Sequence, residues 1–363
     1  MRLGVAAALV DGTLLPGDVA IDDGVVTALG VGAGGGHGIA APGFVDLQVN
    51  GFAGVDFQVA DGDAYLRAGE ALLATGVTAF QPTFITAPEV DLATALRAMP
   101  VEGCGPRIIG AHLEGPFLSP RRLGAHDAAG CRAPDLALLR RLLDAGPVTE
   151  MTLAPELHGA FELIDELVAR GVTVSCGHSD ATAAEAHLAF DRGARTVTHL
   201  FNAMRPSAPR DPGIAMAALA RNDVTVQVIV DGHHLAGETV LVAWQAARGR
   251  FALVSDAVGA AGMEDGRYAL GGAEVTAQGG VVRRADGTLA GSAVPMIEAV
   301  RHLHALGAKL EEALTAASAV PARIAGRQDL GRLAVGAPAD VVVLDDRLDV
   351  QRTLVAGGEH VAR

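Results

Sequence analysis

The chain has 363 residues, of which 50% are hydrophobic and only 4% aromatic, so its core is aliphatic and intrinsic disorder is excluded. Its 42 acidic residues outnumber its 28 basic residues, and the net charge of −14 disfavours nucleic acid and anionic membrane surfaces as partners. Three cysteines, Cys104, Cys131 and Cys176, lack the spacing of disulfides or metal sites, which indicates free thiols and a cytoplasmic protein.

Both ends of the chain have the pattern of short strands. Residues 1–41 alternate apolar segments with Asp-Gly and Gly-rich turns, and residues 331–363 do the same. The apolar segment Leu3–Val10 resembles a short signal sequence, but it stops at the hairpin turn Asp11-Gly12, so we interpret it as a strand. Because neither end holds enough apolar residues for a core of its own, we expect 1–41 and 331–363 to form one small β-sandwich domain.

Between these ends, residues 42–330 alternate short β-branched segments with segments of helical periodicity, such as Ala160–Ala169. This alternation predicts a parallel sheet, and eight repeats suit a closed (β/α)8 barrel of the TIM type, with an open doubly wound sheet as the alternative. Gly-rich turns at about 266–289 predict an inserted hairpin before a helix at Pro295–Leu306. The eight predicted strands are Phe44–Val49, Val77–Phe80, Arg107–His112, Glu150–Leu153, Val172–Cys176, Thr196–His199, Val224–Val230 and Phe251–Ser255.

Polar residues follow most of the predicted strands. Catalytic groups of parallel barrels lie at the C-terminal ends of the strands, so these residues are expected to face one site. In chain order they are Asp46, Gln48 and Asn50, then His112 and Glu114, Glu156, His178 and Asp180, His199 and Asn202, Asp231, His233 and His234, and finally Asp256.

Three of these residues are good ligands for one divalent metal ion with an open coordination position, namely Glu114, His178 and His199. A single histidine is more often a satisfied core residue, but three ligands at separate strand ends favour a metal site. Such an ion lowers the pKa of bound water toward neutrality. Asp256 is then the natural general base, although a turn cap is the alternative interpretation of this residue.

The lysine content narrows the mechanism. The only lysine, Lys309, lies at the start of a C-terminal helix and not at a strand end. This disfavours Schiff-base and pyridoxal chemistry, and also a two-metal centre bridged by a carboxylated lysine. Metal-assisted hydrolysis remains.

Seven short motifs, in order along nearly the whole chain, together resemble the N-acetylglucosamine-6-phosphate deacetylase family of the amidohydrolase superfamily. The resemblance implies metal-dependent removal of acetate from N-acetyl-D-glucosamine 6-phosphate, in amino-sugar catabolism or cell-wall recycling. The motifs are Pro42–Asp46, His112–Phe117, Leu153–Glu156, Gly177–Ser179, Thr198–Met204, Asp231–His234 and Ser255–Ala257.

The resemblance also implies roles for individual residues. Glu114, His178 and His199 match the family's metal ligands, Asp256 matches its acid/base, and His126 matches the histidine that contacts the substrate carbonyl. The positions that match contacts to the sugar and phosphate are Ala125, His126, Asn202, Ala203, Arg210, Asp231, His234, Leu289, Ala290 and Gly291.

Arg210 is the expected phosphate ligand, because a guanidinium in the Pro-rich loop 207–213 can bind a phosphate with two hydrogen bonds. The alternative is a solvated arginine paired with Asp211. In the family this loop often reaches a neighbouring subunit, so the resemblance implies a homodimer. Whether Arg210 serves its own site or its neighbour's stays open.

The chain departs from many amidohydrolases at the residues that determine how many metal ions the site binds. Many amidohydrolases carry His-X-His after the first strand, whereas this chain has Gln48-Val49-Asn50, and amides are poor ligands for transition metals. We therefore expect one metal ion per subunit, zinc first and iron as the alternative. Two other functions remain open: an amidohydrolase acting on an unphosphorylated N-acyl sugar or cyclic amide, and a non-catalytic sugar-phosphate sensor. Asp256 argues against the sensor, since binding alone requires no acid/base.

Overall fold

A computed structural model describes residues 1–32, 36–100 and 105–361, so Cys104 lies outside the described residues. Strands from both ends of the chain share one six-stranded sheet of order β2-β1-β5-β21-β22-β23, and β3 and β4 form a separate hairpin. These strands are β1 (Ala7–Val10), β2 (Thr13–Pro16), β3 (Asp18–Asp22), β4 (Val25–Val31), β5 (Ile39–Pro42), β21 (Val341–Leu344), β22 (Val350–Val355) and β23 (Gly358–Val361).

Strand β21 of the six-stranded sheet is buried on both faces, and its successive side chains point in opposite directions. In β21, Val341 and Val343 pack with the β3–β4 hairpin residues in a small aliphatic core. Val342 and Leu344 pack instead into the large core of the rest of the chain. This gives the predicted sandwich of two layers. The domain limits at residues 41 and 331 stay a prediction.

The middle of the chain forms the expected parallel barrel. Its strands follow the order β10-β9-β11-β12-β13-β14-β15-β16, β6 pairs with β9, and a parallel bridge from Val49 to Ala257 brings the last strand beside the first. This nearly closed sheet excludes the open doubly wound alternative. The strands are β6 (Phe44–Val49), β9 (Val77–Ile85), β10 (Arg107–Ile108), β11 (Ala111–Glu114), β12 (Val148–Leu153), β13 (Thr173–Cys176), β14 (Thr196–Val197), β15 (Thr225–Val228) and β16 (Phe251–Leu253).

Helices surround the barrel, and side chains cap several of them. Asp135 accepts hydrogen bonds from two backbone amides of α3, and Thr182 forms a capping box with Glu185 in α5. The helices are α1 (Gly62–Leu73), α2 (Glu89–Ala98), α3 (Leu136–Ala145), α4 (Ala160–Ala169), α5 (Ala183–Asp191), α6 (Gly213–Leu219), α7 (Gly237–Ala246), α8 (Met296–Ala305), α9 (Leu310–Ala316) and α10 (Ala319–Ile324). Within the described ranges, no helix is long and apolar enough to cross a bilayer.

Two short insertions lie beside the C-terminal ends of the barrel strands. The small hairpin of β7 (Gly51–Phe52) and β8 (Val55–Asp56) leads into a 3-10 helix at Phe57–Val59. The segment expected to be one hairpin is instead a four-stranded antiparallel sheet, because each of its two Gly-Gly turns reverses the chain and a further turn follows at 284–288. We call it the inserted sheet; it comprises β17 (Gly266–Leu270), β18 (Ala273–Gln278), β19 (Val281–Arg283) and β20 (Leu289–Ser292).

The interior of the barrel is polar. Glu150 of β12 accepts a hydrogen bond of 2.5 Å from Gln227, and Gln81, with its amide nitrogen turned inward, donates to it at 3.1 Å. No cation is paired with Glu150 among the described residues, and burial raises its pKa to about 8. The other buried polar side chains on the barrel strands include Asp46, Gln48, Thr83, His112, Thr152, Ser175 and Thr196.

Candidate functional site

The three predicted metal ligands meet at the C-terminal end of the barrel. Glu114 is the last residue of β11, and His178 and His199 follow β13 and β14 by two residues each. Glu114 Oε1 lies 3.1 Å from His178 Nε2 and 2.9 Å from His199 Nε2, and the two imidazole nitrogens are 3.0 Å apart. All three side chains are buried. Of the described residues, these three form the cluster that could hold a metal ion.

The backbone turns sharply at these positions. His178 and His199 have φ values of 47° and 31°, and Asp256 has 49°, all in the left-handed region that side-chain-bearing residues rarely adopt. Such strain persists only where surrounding contacts fix it. Glu156 supplies some of these contacts: its carboxylate accepts hydrogen bonds of 2.7 Å from the Ser179 hydroxyl and from the Asp180 amide. The turn after β13 therefore aims His178 into the cluster.

The donor atoms fit a divalent cation. His178 Nδ1 lies 2.9 Å from the carbonyl oxygen of Arg122, which can only accept, so Nδ1 carries the proton and Nε2 presents its lone pair to the cluster. Donor atoms that share one zinc-sized ion are about 3 to 3.5 Å apart, which matches the observed spacing. Burial acts to raise the pKa of Glu114, but the three neighbouring imidazoles of His126, His178 and His199 hold this pKa well below its usual range.

Two amides after the first barrel strand contact the acidic groups of the site. Asn50 Nδ2 donates to Asp256 Oδ1 at 2.7 Å, and Gln48 Nε2 donates to Glu114 Oε1 at 3.2 Å. Burial, with the nearby Glu114 carboxylate, raises the pKa of Asp256 to about 7. Gln48 and Asn50 thus act as hydrogen-bond donors to the carboxylates, in positions where many amidohydrolases carry histidine ligands.

His126 lies beside the cluster as a neutral imidazole. Burial, together with the neighbouring His178, lowers the pKa of His126 to about 4. Its Nδ1 accepts a hydrogen bond of 3.3 Å from the Thr86 amide, so Nε2 carries the proton, and this nitrogen lies 3.5 Å from Glu114 Oε2. The Nε2–H group is therefore a hydrogen-bond donor in the site.

A cavity of about 220 Å³ opens over the cluster. The inserted sheet supplies one wall, including Leu270 and Thr288. Of the sequence-predicted residues, those lining the cavity are Asn50, Glu114, Ala125, His126, His178, His199, Asn202, Ala203, His234, Asp256, Leu289 and Gly291.

Three predicted substrate contacts do not line this cavity. Ala290 is fully buried in the core of the inserted sheet. Asp231 instead supports His234, whose Nδ1 lies 2.7 Å from Asp231 Oδ2. Burial opposes the charged imidazole, yet this carboxylate raises the pKa of His234, which favours a cation at the cavity wall.

Arg210 is the third predicted substrate contact that does not line the cavity, and it is exposed on its loop. The alternative interpretation was an ion pair between Arg210 and Asp211. In the structure Asp211 instead pairs with Arg205, and Asp211 Oδ2 lies 2.6 Å from Arg205 Nη2. Within the described part of the chain, no acidic side chain forms an ion pair with Arg210. The guanidinium is thus available for a ligand outside its own loop.

Several residues of the cavity are not evident from the amino-acid sequence. Ile85, Ile229 and Leu270 line it, but in the sequence they have the apolar character of core positions. Thr86 was also missed, since its contribution to His126 comes from the backbone amide. Ile85 also lies beyond the predicted second strand, which ended at Phe80, whereas β9 extends to Ile85.

Comparisons with known proteins agree with this geometry. Residues 39–359 match the model of the amidohydrolase family. The chain is 41% identical to N-acetylglucosamine-6-phosphate deacetylase of Mus musculus, over 88% of this chain and 82% of the relative. It is 37% identical to N-acetylgalactosamine-6-phosphate deacetylase of Escherichia coli O157:H7, over 88% and 87%.

A solved structure is also similar over nearly its whole length. It is a variant of N-acetyl-D-glucosamine-6-phosphate deacetylase from Mycobacterium smegmatis in complex with N-acetyl-D-glucosamine-6-phosphate. The match has a TM-score of 0.94 at 38% identity and covers 99% of this chain and 98% of that one.

Proposed function

The chain belongs to the amidohydrolase family, and we propose that it hydrolyses N-acetyl-D-glucosamine 6-phosphate to D-glucosamine 6-phosphate and acetate. The observation that carries this proposal is the convergence of one carboxylate and two imidazole nitrogens, about 3 Å apart, at the floor of a cavity that also contains Asp256 and His126. Such a site supports hydrolysis of an amide without a serine or cysteine nucleophile.

Glu114, His178 and His199 would hold a divalent cation, which when bound supplies a Lewis acid that makes water a better nucleophile at neutral pH. Asp256 accepts the proton of the attacking water and then donates it to the departing sugar amine. Asn50 binds Oδ1 of Asp256, so Oδ2 is the oxygen left for this proton.

His126 stabilises the negative charge that develops on the substrate carbonyl oxygen. Its Nε2–H donates to that oxygen, and the Thr86 amide at Nδ1 keeps the ring in the required tautomer. Because its pKa is lowered to about 4, His126 stays neutral and acts as a fixed donor at neutral pH.

The polar wall of the cavity supports a sugar phosphate as the substrate. Asn202 offers an amide for the sugar hydroxyls, and His234, held by Asp231, offers positive charge to the phosphate. In a chain of net charge −14, such a local cation is needed to attract an anion.

We propose one zinc ion per subunit, with iron as the alternative. The donor set suits both metals, and the amides of Gln48 and Asn50 already donate to carboxylates, which disfavours a second ion beside them. Elemental analysis of the purified protein should find about one ion per chain. Glu114→Gln or His199→Ala should lower this content, and two tightly bound ions per chain would contradict the proposal.

We propose a cytoplasmic homodimer in which Arg210 binds the phosphate in the neighbouring subunit. The free thiols of Cys131 and Cys176 and the exposure of Arg210 away from its own cavity support this arrangement. Sedimentation should give a dimer. Mixed dimers that combine one Arg210→Ala subunit with one Asp256→Asn subunit contain one complete site, so they should recover about a quarter to a half of the wild-type activity. No recovery would place Arg210 in its own site.

The substrate is tested with metal-defined protein and matched sugars. Turnover of N-acetyl-D-glucosamine 6-phosphate should exceed that of free N-acetyl-D-glucosamine by several orders of magnitude, and equal efficiency would indicate an amidohydrolase for unphosphorylated amides. N-acetyl-D-galactosamine 6-phosphate belongs in the same panel, because a relative that is 37% identical carries that sugar in its name. A preference for it would change the sugar and leave the reaction unchanged.

A further inference from the structure

The cavity has a polar side and an apolar side, which are lined by residues that follow different barrel strands. Asn202 and His234, which follow the sixth and seventh barrel strands, belong to the polar side. Ile85 and Leu270 form the apolar side, where the second barrel strand meets the inserted sheet. Ile85 is the last residue of β9 and is paired in register with Glu114 of β11, so this side adjoins the cluster directly.

Ile85 is held firmly in place. Its side chain is 8% exposed and packs with Leu270 and other residues of the inserted sheet. A Cβ atom added to Gly271, the residue after Leu270, would lie 2.5 Å from Ile85 Cδ1, so the turn of the inserted sheet sits directly on this side chain. The Ile85 carbonyl oxygen also accepts a hydrogen bond of 3.1 Å from Gln58. The apolar wall has little room to withdraw.

The chemistry of the substrate orients it between these two sides. In the proposed reaction the substrate carbonyl oxygen accepts a hydrogen bond from His126 Nε2, and His126 is fixed by the backbone amide of Thr86, the neighbour of Ile85. A sugar hydroxyl buried against Ile85 and Leu270 would lose its hydrogen bonds, which is costly, whereas a methyl group there loses nothing. The sugar therefore lies toward Asn202 and His234, and the acyl methyl lies toward Ile85 and Leu270.

We propose that Ile85 and Leu270 form the acyl pocket of this enzyme and restrict the acid that it releases to acetate. The inference rests on the proposed deacetylase function and adds its acyl-group specificity. Water cleaves the amide bond in the same way for any acyl group, giving a carboxylate and the amine. A propanoyl or butanoyl chain, however, would have to displace side chains that the inserted sheet holds in place. One methylene in an apolar pocket is worth about 10- to 200-fold in specificity.

The experiment compares kcat/KM for the N-acetyl and N-propanoyl derivatives of glucosamine 6-phosphate. Wild type should favour the acetyl substrate at least tenfold. Ile85→Ala and Leu270→Ala should each raise the propanoyl-to-acetyl ratio at least tenfold, and Ile85→Val, which removes one methyl group, should raise it about threefold. If Ile85→Ala fails to fold, as judged by circular dichroism, Ile85→Val and Leu270→Ala decide the matter.

Ile229 provides a matched control, because it lines the same cavity after the seventh barrel strand, away from the inserted sheet. Ile229→Ala should leave the propanoyl-to-acetyl ratio within twofold of wild type. An unchanged ratio in folded Ile85 and Leu270 variants, a larger rise in Ile229→Ala, or a wild type without acyl preference would each overturn the acyl pocket. A wild type that does not hydrolyse the acetyl substrate would instead remove the proposed function.

Discussion

The interior of the barrel and the interior of the two-ended β-sandwich are both buried, yet the first contains a network of polar side chains and the second has an aliphatic core. The barrel strands enclose Glu150, His112, Asp46 and their amide and hydroxyl partners. The core of the sandwich is a cluster of aliphatic side chains, of which Leu354 is fully buried. Burial of polar groups stabilises little but fixes orientations, whereas burial of aliphatic groups stabilises without directing any chemistry.

This contrast implies a division of roles. Substitutions near the C-terminal end of the barrel should change the rate with small effects on stability, and substitutions in the sandwich should do the reverse. Asp256→Asn, Asn50→Ala and Leu354→Ala test that division, and Glu150→Gln tests how the burial of one ionisable group in the barrel affects stability.

The largest effect is expected for Asp256→Asn. The amide has nearly the same volume but cannot accept the proton of water, so kcat should fall by about 10³- to 10⁴-fold. KM, metal content and the melting temperature should change little. A loss of less than tenfold in steady-state kinetics would show that another group carries the proton.

Next is Glu150→Gln, which replaces a buried ionisable carboxyl group inside the barrel with an amide that cannot ionise. Burial raises the pKa of Glu150 to about 8 from an ordinary 4.5, so the folded protein holds this proton more tightly than the unfolded chain. The contribution of this group to the free energy of unfolding therefore falls as the pH rises from 4.5 toward 8, by up to about 5 kcal/mol.

The Gln variant lacks this decline, so its advantage over wild type should grow between pH 5 and pH 8.5. Urea unfolding at several pH values measures the difference. Glu70→Gln on the exposed face of α1 is the surface control and should follow wild type at every pH. Parallel stability curves for wild type and Glu150→Gln would mean that Glu150 is ionised in the folded state.

Leu354→Ala tests the sandwich. The truncation leaves a cavity between aliphatic side chains and should lower the free energy of unfolding by about 2 to 5 kcal/mol. At 25 °C the kcat/KM of the remaining folded enzyme should match wild type. A rate loss without a stability loss would break the division of roles drawn above.

The smallest effect is expected for Asn50→Ala. This change removes the hydrogen bond to Asp256 Oδ1 and leaves the carboxylate free to rotate, which should lower kcat by about 10- to 100-fold. KM should change little, because the amide acts through Asp256. A rise in KM at constant kcat would indicate that Asn50 contacts the substrate itself.

Much of this molecule could be predicted from the sequence. Alternating β-branched and helical segments suffice to identify the barrel strands, and parallel topology brings the residues after them together, so Glu114, His178 and His199 converge as expected. Arg210 was harder, because the geometry of its loop depends on Asp211 pairing with Arg205.

Other features could not be predicted from the sequence, because they depend on tertiary contacts. The segment predicted to be one hairpin is a four-stranded sheet. The sequence did not predict this, because Gly-Gly turns mark reversals of the chain but do not show which strands pair afterwards. Ile85 and Leu270 have the composition of ordinary core residues, and only their packing places them at the cavity. The hydrogen bond from the Thr86 backbone to His126 has no signature in side-chain identity.

The sheet that joins both ends of the chain also sets the timing of assembly on the ribosome. Gly38 donates a hydrogen bond to Asp346, and 308 positions separate the two residues. At about 5 to 20 residues per second, the N-terminal strands wait roughly 15 to 60 s for their partners to be synthesised. During that interval the edge of β5 that pairs with β21 stays unpaired, and an unpaired strand edge exposes the nascent chain to pairing with other chains.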